Sequence, residues 1–262
     1  MASMSTQYST TIGPFSLSSY LGVLGCNNVD DTFDGNIFTY LGNNKYRFTV
    51  IDAAVNKTLE DTIRRNHEGL EDFKRLLREI YTVEAANMWL DKHHDKEAEY
   101  KHLNPLLAFT SLELNLELMK GYVYKAADCE IFIQYKDGTW EHPFGDFLTS
   151  EGRAIYNTAH DNHEKEHGKY NAPEIWWDTQ NKVLNDMKLF RHPTLGLESM
   201  YLPKTLVLDI ENVNRIVLTT DGVKIDENIL DTVDLKHYLL KEVHNGEHCQ
   251  HADFSALDIV FF

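Results

Sequence analysis

The sequence predicts an α+β protein built mainly from antiparallel sheet. Segment 46–52, YRFTVID, alternates apolar and polar side chains with a period of two, which is typical of a half-buried strand. Over residues 58–91 the apolar spacing changes to three or four, which indicates an amphipathic helix or a pair of helices broken near Gly69. Because strands come in runs with helices inserted between them, rather than in strict βαβ alternation, an antiparallel sheet is expected.

The same patterns place the other elements. Strands are predicted at 20–24, 36–41, 112–118, 121–126, 130–135, 206–209, 214–220 and 253–262. At 112–118 a helix is the competing interpretation, because the Leu and Glu of this stretch favour helices. Helices are predicted near 175–189 and over 231–243, and the rest of 141–200 is expected to be irregular.

The chain has 262 residues, of which 42% are hydrophobic, so it can bury a full core. No Gly/Ser tract or proline-rich linker divides it. We therefore expect a flexible arm over 1–15 and a single domain over 16–262. The three cysteines are widely spaced, and the polar N-terminal stretch lacks the pattern of a signal peptide, which together predict a cytoplasmic protein.

The formal net charge is −16, from 41 acidic and 25 basic residues. Nucleic-acid backbones and anionic membranes attract basic surfaces, so neither is expected as a partner. No apolar run approaches the roughly 20 residues that span a bilayer. An acidic protein is, in contrast, compatible with divalent cations.

Aspartates recur at predicted strand ends and tight turns. The five places are Asp30-Asp31, Asp52, Asp128, Asp221 and Asp253. Taken singly, each is most simply a turn residue. Carboxylates that lie close together repel unless they are protonated or neutralised, and ligand sets made only of oxygen select Mg²⁺ or Mn²⁺. Two such ions can activate a water and hold a phosphoryl group, so the pattern suggests a two-metal hydrolase.

The order of these motifs resembles that of the metal-dependent protein Ser/Thr phosphatases of type 2C. The matching segments are Val29-Asp30-Asp31-Thr32, Ile51-Asp52-Ala53, Ala127-Asp128-Cys129, Thr220-Asp221-Gly222 and Asp253-Phe254-Ser255. The resemblance covers the chain from Tyr20 onward. It implies a four-layer αββα sandwich, in which two antiparallel sheets are flanked by helices and the metals lie at one end.

The resemblance also implies roles for individual residues. Asp52 would bridge two Mn²⁺ or Mg²⁺ ions, with Asp221 and Asp253 completing one site and the backbone carbonyl of Ala53 binding the other. Asp128, together with Asp221, matches an optional third-metal position.

Asp30 and Asp31 would act largely through bound waters, and Asp31 joins Asp52 as a catalytic residue. The implied reaction is hydrolysis of phosphoserine or phosphothreonine in a protein substrate, without a phospho-enzyme intermediate. The protein is expected to be a monomer.

Three positions depart from the family pattern. Ala53 stands where the family has glycine, and Val29 replaces an asparagine. The family's phosphate-binding arginine falls near Cys26, which leaves Arg47 as a candidate by default. The alternative function is therefore a pseudophosphatase that binds proteins without cutting, and a third is a hydrolase of small phosphorylated metabolites or nucleotides.

Some features stay open at this point. Asp258 competes with Asp253 as terminal ligand, but it lies mid-strand, where a buried unpaired charge is costly. Two histidine groups could bind zinc, although a solvated loop is the simpler interpretation. Trp176-Trp177 is either a partner anchor or core. The histidine groups are His160, His163 and His167, and His244, His248 and His251 with Cys249.

Overall fold

The computed structural model describes residues 3–24, 34–54, 106–146, 148–168, 204–222, 224–245 and 252–262. The strands are β1 Ser3–Ile12, β2 Phe15–Leu24, β3 Gly35–Gly42, β4 Lys45–Ala54, β5 Leu106–Asn115, β6 Lys120–Ala126, β7 Glu130–Tyr135, β8 Trp140–Glu141, β9 Lys204–Asp209, β10 Val213–Thr219 and β11 Ala252–Phe261. The helices are α1 Ser150–His167, α2 Glu227–Thr232 and α3 Leu235–Asn245.

The strands form two antiparallel sheets. The six-stranded sheet has the order β1-β2-β11-β10-β7-β8, and the five-stranded sheet has the order β3-β4-β5-β6-β9. This confirms the predicted α+β sandwich of antiparallel sheets. The helices predicted over 58–91 and near 175–189, and Trp176-Trp177, lie outside the described residues.

The main core lies between the two sheets. Phe15 of β2 and Phe48 of β4 are fully buried there, and their rings meet edge to face with centroids 5.5 Å apart. Alternate residues of β5, β7, β10 and β11 fill the rest of the layer, which is the consequence of the period-two pattern in each strand. Burying a side chain of this size contributes about 1.5–3 kcal/mol of stability.

A second cluster covers the outer face of the six-stranded sheet. Leu235 and Leu239 of α3 are buried against Val217 of β10 and Phe254 of β11. Leu230 of α2 joins them. These helices provide the flanking layer on this side. No helix among the described residues is long and apolar enough to cross a bilayer.

The N-terminal segment differs from the expected loose arm. Residues of β1 pair with β2 along its length, from Ser3 opposite Val23 to Ile12 opposite Phe15. The stretch is rich in Ser, Thr and Tyr, and Thr and Tyr favour strands even without an apolar run. It forms one edge of the six-stranded sheet.

Two other expectations also needed correction. Residues 150–167, expected to be irregular, form α1, which begins at the N-cap Thr149 and ends at Gly168 with φ +81°. The helix carries no apolar stripe, so its period was not visible in the sequence.

The strand expected over 112–118 ends at Asn115. The side-chain oxygen of Asn115 accepts from the backbone N–H groups of Glu117 and Leu118, both at 3.2 Å, and so closes a turn.

The antiparallel topology gathers chain reversals at two ends of the sandwich. One end carries the last residues of β4, the β6–β7 turn, the residues after β10 and the start of β11. The β1–β2, β3–β4 and β5–β6 turns lie at the other end, with Phe262. Every described residue of the predicted site falls on the first end.

Candidate active site

Three of the predicted aspartates come together at one end of the sandwich. Asp52 lies near the end of β4, opposite Ala108 of β5. Asp128 lies in the turn that takes the chain from β6 of one sheet to β7 of the other. Asp221 follows β10 directly, because that buried strand stops at Thr219.

The pKa values of Asp128 and Asp221 show that these carboxyls influence one another. Burial and then the charge of Asp221 raise the pKa of Asp128 to about 7. Asp221 is accessible to solvent at the rim, yet the protein atoms packed around its carboxyl, and then the charge of Asp52, raise its pKa to about 7. A hydrogen bond between the Asp52 and Asp221 side chains acts in the same direction. Two carboxyls that share a hydrogen bond must share a proton, and a cation can replace it.

A fourth aspartate, which sequence reasoning missed, belongs to this group. Burial raises the pKa of the Cys129 thiol far above its usual value, and Asp52, Asp128, Asp34 and Asp221 all add to the shift. All four carboxyls therefore lie close enough to Cys129 to act on its pKa. We refer to Asp34, Asp52, Asp128 and Asp221 as the acidic end. The available signal was Asp34-Gly35, another aspartate at a strand boundary.

Asp34 is almost fully buried and is linked through Thr220 to the six-stranded sheet. The hydroxyl of Thr220 donates to its carboxylate, and the same hydroxyl accepts from the backbone N–H of Ser255 at 2.8 Å. Asn36 donates to the hydroxyl of Ser255 at 3.0 Å and accepts from that of Ser19 at 2.9 Å. This buried network joins the sheets and fixes the backbone on either side of Asp221 and Asp253.

Comparison with solved structures identifies the fold. RsbX in complex with magnesium superposes with a TM-score of 0.60 at 10% identity, over 97% of this chain and 99% of that one. A serine/threonine phosphatase of S. agalactiae gives 0.58 at 10% identity, over 94% and 100%. The PP2C phosphatase domain of SpoIIE from Bacillus subtilis, with a fragment of its regulatory domain, gives 0.57 at 11% identity, over 98% and 64%.

The chain has the type 2C phosphatase fold. No protein-family model and no curated protein sequence matches it. At identities near 10% the structural similarity establishes the fold and not the activity.

The remaining predicted ligands are described only in part. Asp253 of β11 lies opposite Val23 of β2, so its backbone is at the acidic end. Ala53 follows Asp52 in β4 and lies opposite Leu107. Asp30 and Asp31 lie outside the described residues. Over the part of the chain that the structure describes, no group of three His, Cys, Asp or Glu residues encloses a metal-sized site.

Two charged residues considered from sequence have other partners. Asp258 is held by Arg215, whose Nε donates at 2.8 Å and whose Nη2 donates at 3.0 Å, so its mid-strand charge is compensated. Arg47 pairs with Glu113 at 3.4 Å. It precedes Asp52 by five residues of extended strand, or about 17 Å, so it does not reach the acidic end of this type 2C fold.

Helix α1 brings a cation and a phenol close to the acidic end. Arg153 is held mainly by hydrogen bonds to Asp146, from Nε at 2.8 Å and from Nη2, which raise its pKa, and Asp128 adds to the shift. Burial raises the pKa of Tyr156, and Asp221 and Asp128 contribute. The Arg153 guanidinium lies 5.8 Å from the Tyr156 ring centroid.

The histidines of residues 160–167 lie on α1, so the loop interpretation is wrong for them. The rings of His163 and His167 are 4.9 Å apart between centroids, and His163 is largely buried. Among the described side chains no third ligand joins them to form a metal group. Beyond the backbone of 244–245, the second histidine group lies outside the described residues.

Proposed function

We propose that this protein is a metal-dependent phosphatase that hydrolyses phosphoserine or phosphothreonine in protein substrates. The observation that carries the proposal is the grouping of Asp34, Asp52, Asp128 and Asp221 at one end of the sandwich, where burial and neighbouring carboxyls raise the pKa values of Asp128 and Asp221 to about 7. Such a cluster is stabilised by a bound cation. The type 2C fold, which the magnesium complex of RsbX shares, supports the same conclusion.

The donor set fits a hard divalent cation, because it consists of oxygen atoms. Asp52 would bridge two ions of Mn²⁺ or Mg²⁺, with Asp221 and Asp253 on one and the carbonyl of Ala53 on the other. Asp30 and Asp31 would contribute through waters, and Asp128 would serve an optional third ion. When bound, the metals supply charge for the phosphoryl group and lower the pKa of a water.

The chain must also attract an anionic substrate to an acidic surface. Two described cations act on Asp128, namely Lys125 and Arg153. The Lys125 side chain is fully buried, whereas that of Arg153 is 38% exposed. Arg153 would therefore be the cation that contacts the phosphate, in place of the family's phosphate-binding arginine, whose position falls near Cys26. Its pairing with Asp146 orients the guanidinium plane, and Tyr156 supports it from one face.

The direct test is Mn²⁺-dependent hydrolysis of p-nitrophenyl phosphate. The wild type should turn over only with metal, and Asp52→Asn should reduce kcat by at least about 100-fold, because the bridging charge is lost. The matched control is Asp209→Asn, which removes an exposed carboxylate paired with Lys120 at the opposite end of the sandwich and should leave kcat unchanged. A wild type without metal-dependent turnover would overturn the proposal in favour of a binding module.

The substrate class is tested by comparing a phosphothreonine peptide with nucleotides. We expect the peptide to be the better substrate, because the solved structures that share this fold include serine/threonine phosphatases. Higher kcat/KM for nucleotides would replace the protein substrate by a small phosphorylated one. The same proposal includes a monomer that works in the cytoplasm.

A further inference from the structure

A buried ion pair joins the residue before and the residue after the turn that contains Asp128. Lys125 is the last residue but one of β6, and Glu130 is the first residue of β7. The Lys125 side chain is fully buried, and its ammonium donates to the Glu130 carboxylate. Since β6 and β7 belong to different sheets, this pair closes the six-residue segment 125–130 at the point where the chain crosses between them.

Both partners are fixed by further contacts. The Glu130 oxygen that accepts from Lys125 also lies 2.6 Å from Nε2 of His142, and the His142 ring stacks on Phe132 with centroids 4.8 Å apart. The Lys125 ammonium lies 5.9 Å from the centroid of the Phe144 ring. A buried ammonium is costly unless such partners compensate it, so its position is strongly defined.

The turn between them is conformationally demanding. Ala127 has φ +55°, a region that residues with a side chain adopt infrequently. The hydroxyl of Thr110 on β5 donates to the carbonyl of Cys129 at 2.6 Å, which ties the turn to the five-stranded sheet. A strained backbone persists only where surrounding contacts over-determine it. Thr110 supplies one such contact and the ion pair supplies the other.

We propose that Lys125 is a positioning residue that, through its ion pair with Glu130, holds the 126–129 turn and so places Asp128 beside Asp221 at the acidic end. The Lys125 ammonium also acts on Asp128 and lowers the pKa of that carboxyl. The effect on catalysis rests on the proposed function, whereas the effect on the turn does not.

The test separates positioning from simple stability. Removing one member of a buried ion pair leaves an uncompensated charge, whereas replacing both with apolar groups is often neutral for stability. Lys125→Met should therefore be destabilised in urea unfolding, and Lys125→Met/Glu130→Met should recover. The matched control is Arg215→Met/Asp258→Met, which removes a similar buried pair from the outer side of the same sheet.

Amide hydrogen exchange in the metal-free protein measures the turn directly. In Lys125→Met/Glu130→Met we expect the amides of 127–129 to exchange at least tenfold faster than in the wild type, with β10 unchanged. In the Arg215 control these amides should keep wild-type rates. If the amides of 127–129 exchanged at the wild-type rate in Lys125→Met/Glu130→Met, the proposal would be overturned, whether or not the protein hydrolyses phosphate.

Mn²⁺ calorimetry and kinetics then test the consequence for the site. The Lys125 double variant should bind Mn²⁺ at least tenfold more weakly and lose at least tenfold in kcat, although its stability has recovered. Lys125→Arg, which keeps the charge, should recover part of both. Wild-type Mn²⁺ affinity and kcat in the double variant would show that the pair is merely structural. A wild type without metal-dependent turnover would instead contradict the proposed function and leave the exchange result standing.

Discussion

At the scale of single residues, Asp128 and Asp221 are the groups that make this protein sensitive to pH. Their pKa values lie near 7, above the ordinary 3.8 of an aspartate. The native state therefore binds more protons than the unfolded chain between about pH 4 and pH 7. It follows that these two carboxyls lower the free energy of unfolding of the metal-free protein as the pH rises through this window, and that their effect levels off above it.

Asp128→Asn should remove part of that pH dependence. In urea unfolding with EDTA, we expect the variant to be more stable than the wild type at pH 8, where repulsion is greatest, and equal to it below pH 4. Solvent screening limits the gain to about 1 kcal/mol. Asp161→Asn, an exposed aspartate on α1, is the control and should show no gain. A variant that loses stability at pH 8 would contradict the expected repulsion.

Arg153 is the residue expected to decide substrate affinity. Arg153→Ala should raise KM for p-nitrophenyl phosphate about tenfold, the equivalent of one charge-assisted hydrogen bond of about 1.4 kcal/mol. The change in kcat should be smaller, and Mn²⁺ affinity should stay the same. Lys165→Ala, in the last turn of the same helix, is the matched control. An unchanged KM would exclude Arg153 from phosphate binding.

At the scale of elements, the strands were largely predictable from sequence because burial on one face leaves a period of two. The predicted ranges of β4, β6, β7, β10 and β11 lie within two residues of the observed ones, although β10 is recognised by a continuous apolar run and not by alternation. α1 was not predictable, since a helix without an apolar stripe has no period to detect. The aspartates could be assigned to strand ends from the sequence. The place of Asp34 in the acidic end and the Lys125–Glu130 ion pair could not be predicted, because both depend on how the two sheets pack against each other.

The pairing of β2 with β11 depends on a glycine. Gly22 lies opposite Phe254, and a Cβ at this position would come within 2.3 Å of the Phe254 ring, which is fully buried. Gly22→Ala should therefore destabilise the protein by about 1–3 kcal/mol, the range for overpacking in a core. Thermal unfolding measures the loss, and Gly22→Ala/Phe254→Leu should recover part of it. A single variant as stable as the wild type would show that the ring can move.

At the scale of the whole molecule, the residues proposed for function and the residues that stabilise the fold lie in different parts of the sandwich. The carboxylates that repel one another are collected at one end, while the core and the Arg215–Asp258 pair lie along its length. Among the described residues, an apo protein therefore carries repulsion between carboxylates at the acidic end. A cation that binds there relieves it and stabilises the entire fold, because binding to the native state shifts the unfolding equilibrium.

Mn²⁺ should therefore raise the unfolding temperature of the protein. At a free concentration 100 times Kd the stabilisation is about 2.7 kcal/mol for one site, or roughly 5–10 °C for a domain of this size. Calorimetry should show this shift in the wild type and less than about a third of it in Asp52→Asn, which lacks the bridging charge. Asp258→Asn loses its pairing with Arg215 and should start from a lower melting temperature, yet it should keep the full shift, because its partner lies away from the acidic end. If Mn²⁺ raised the unfolding temperature of Asp52→Asn as much as that of the wild type, the metal would bind elsewhere on the protein. The stabilisation would then not need the carboxylate that is proposed to hold both ions.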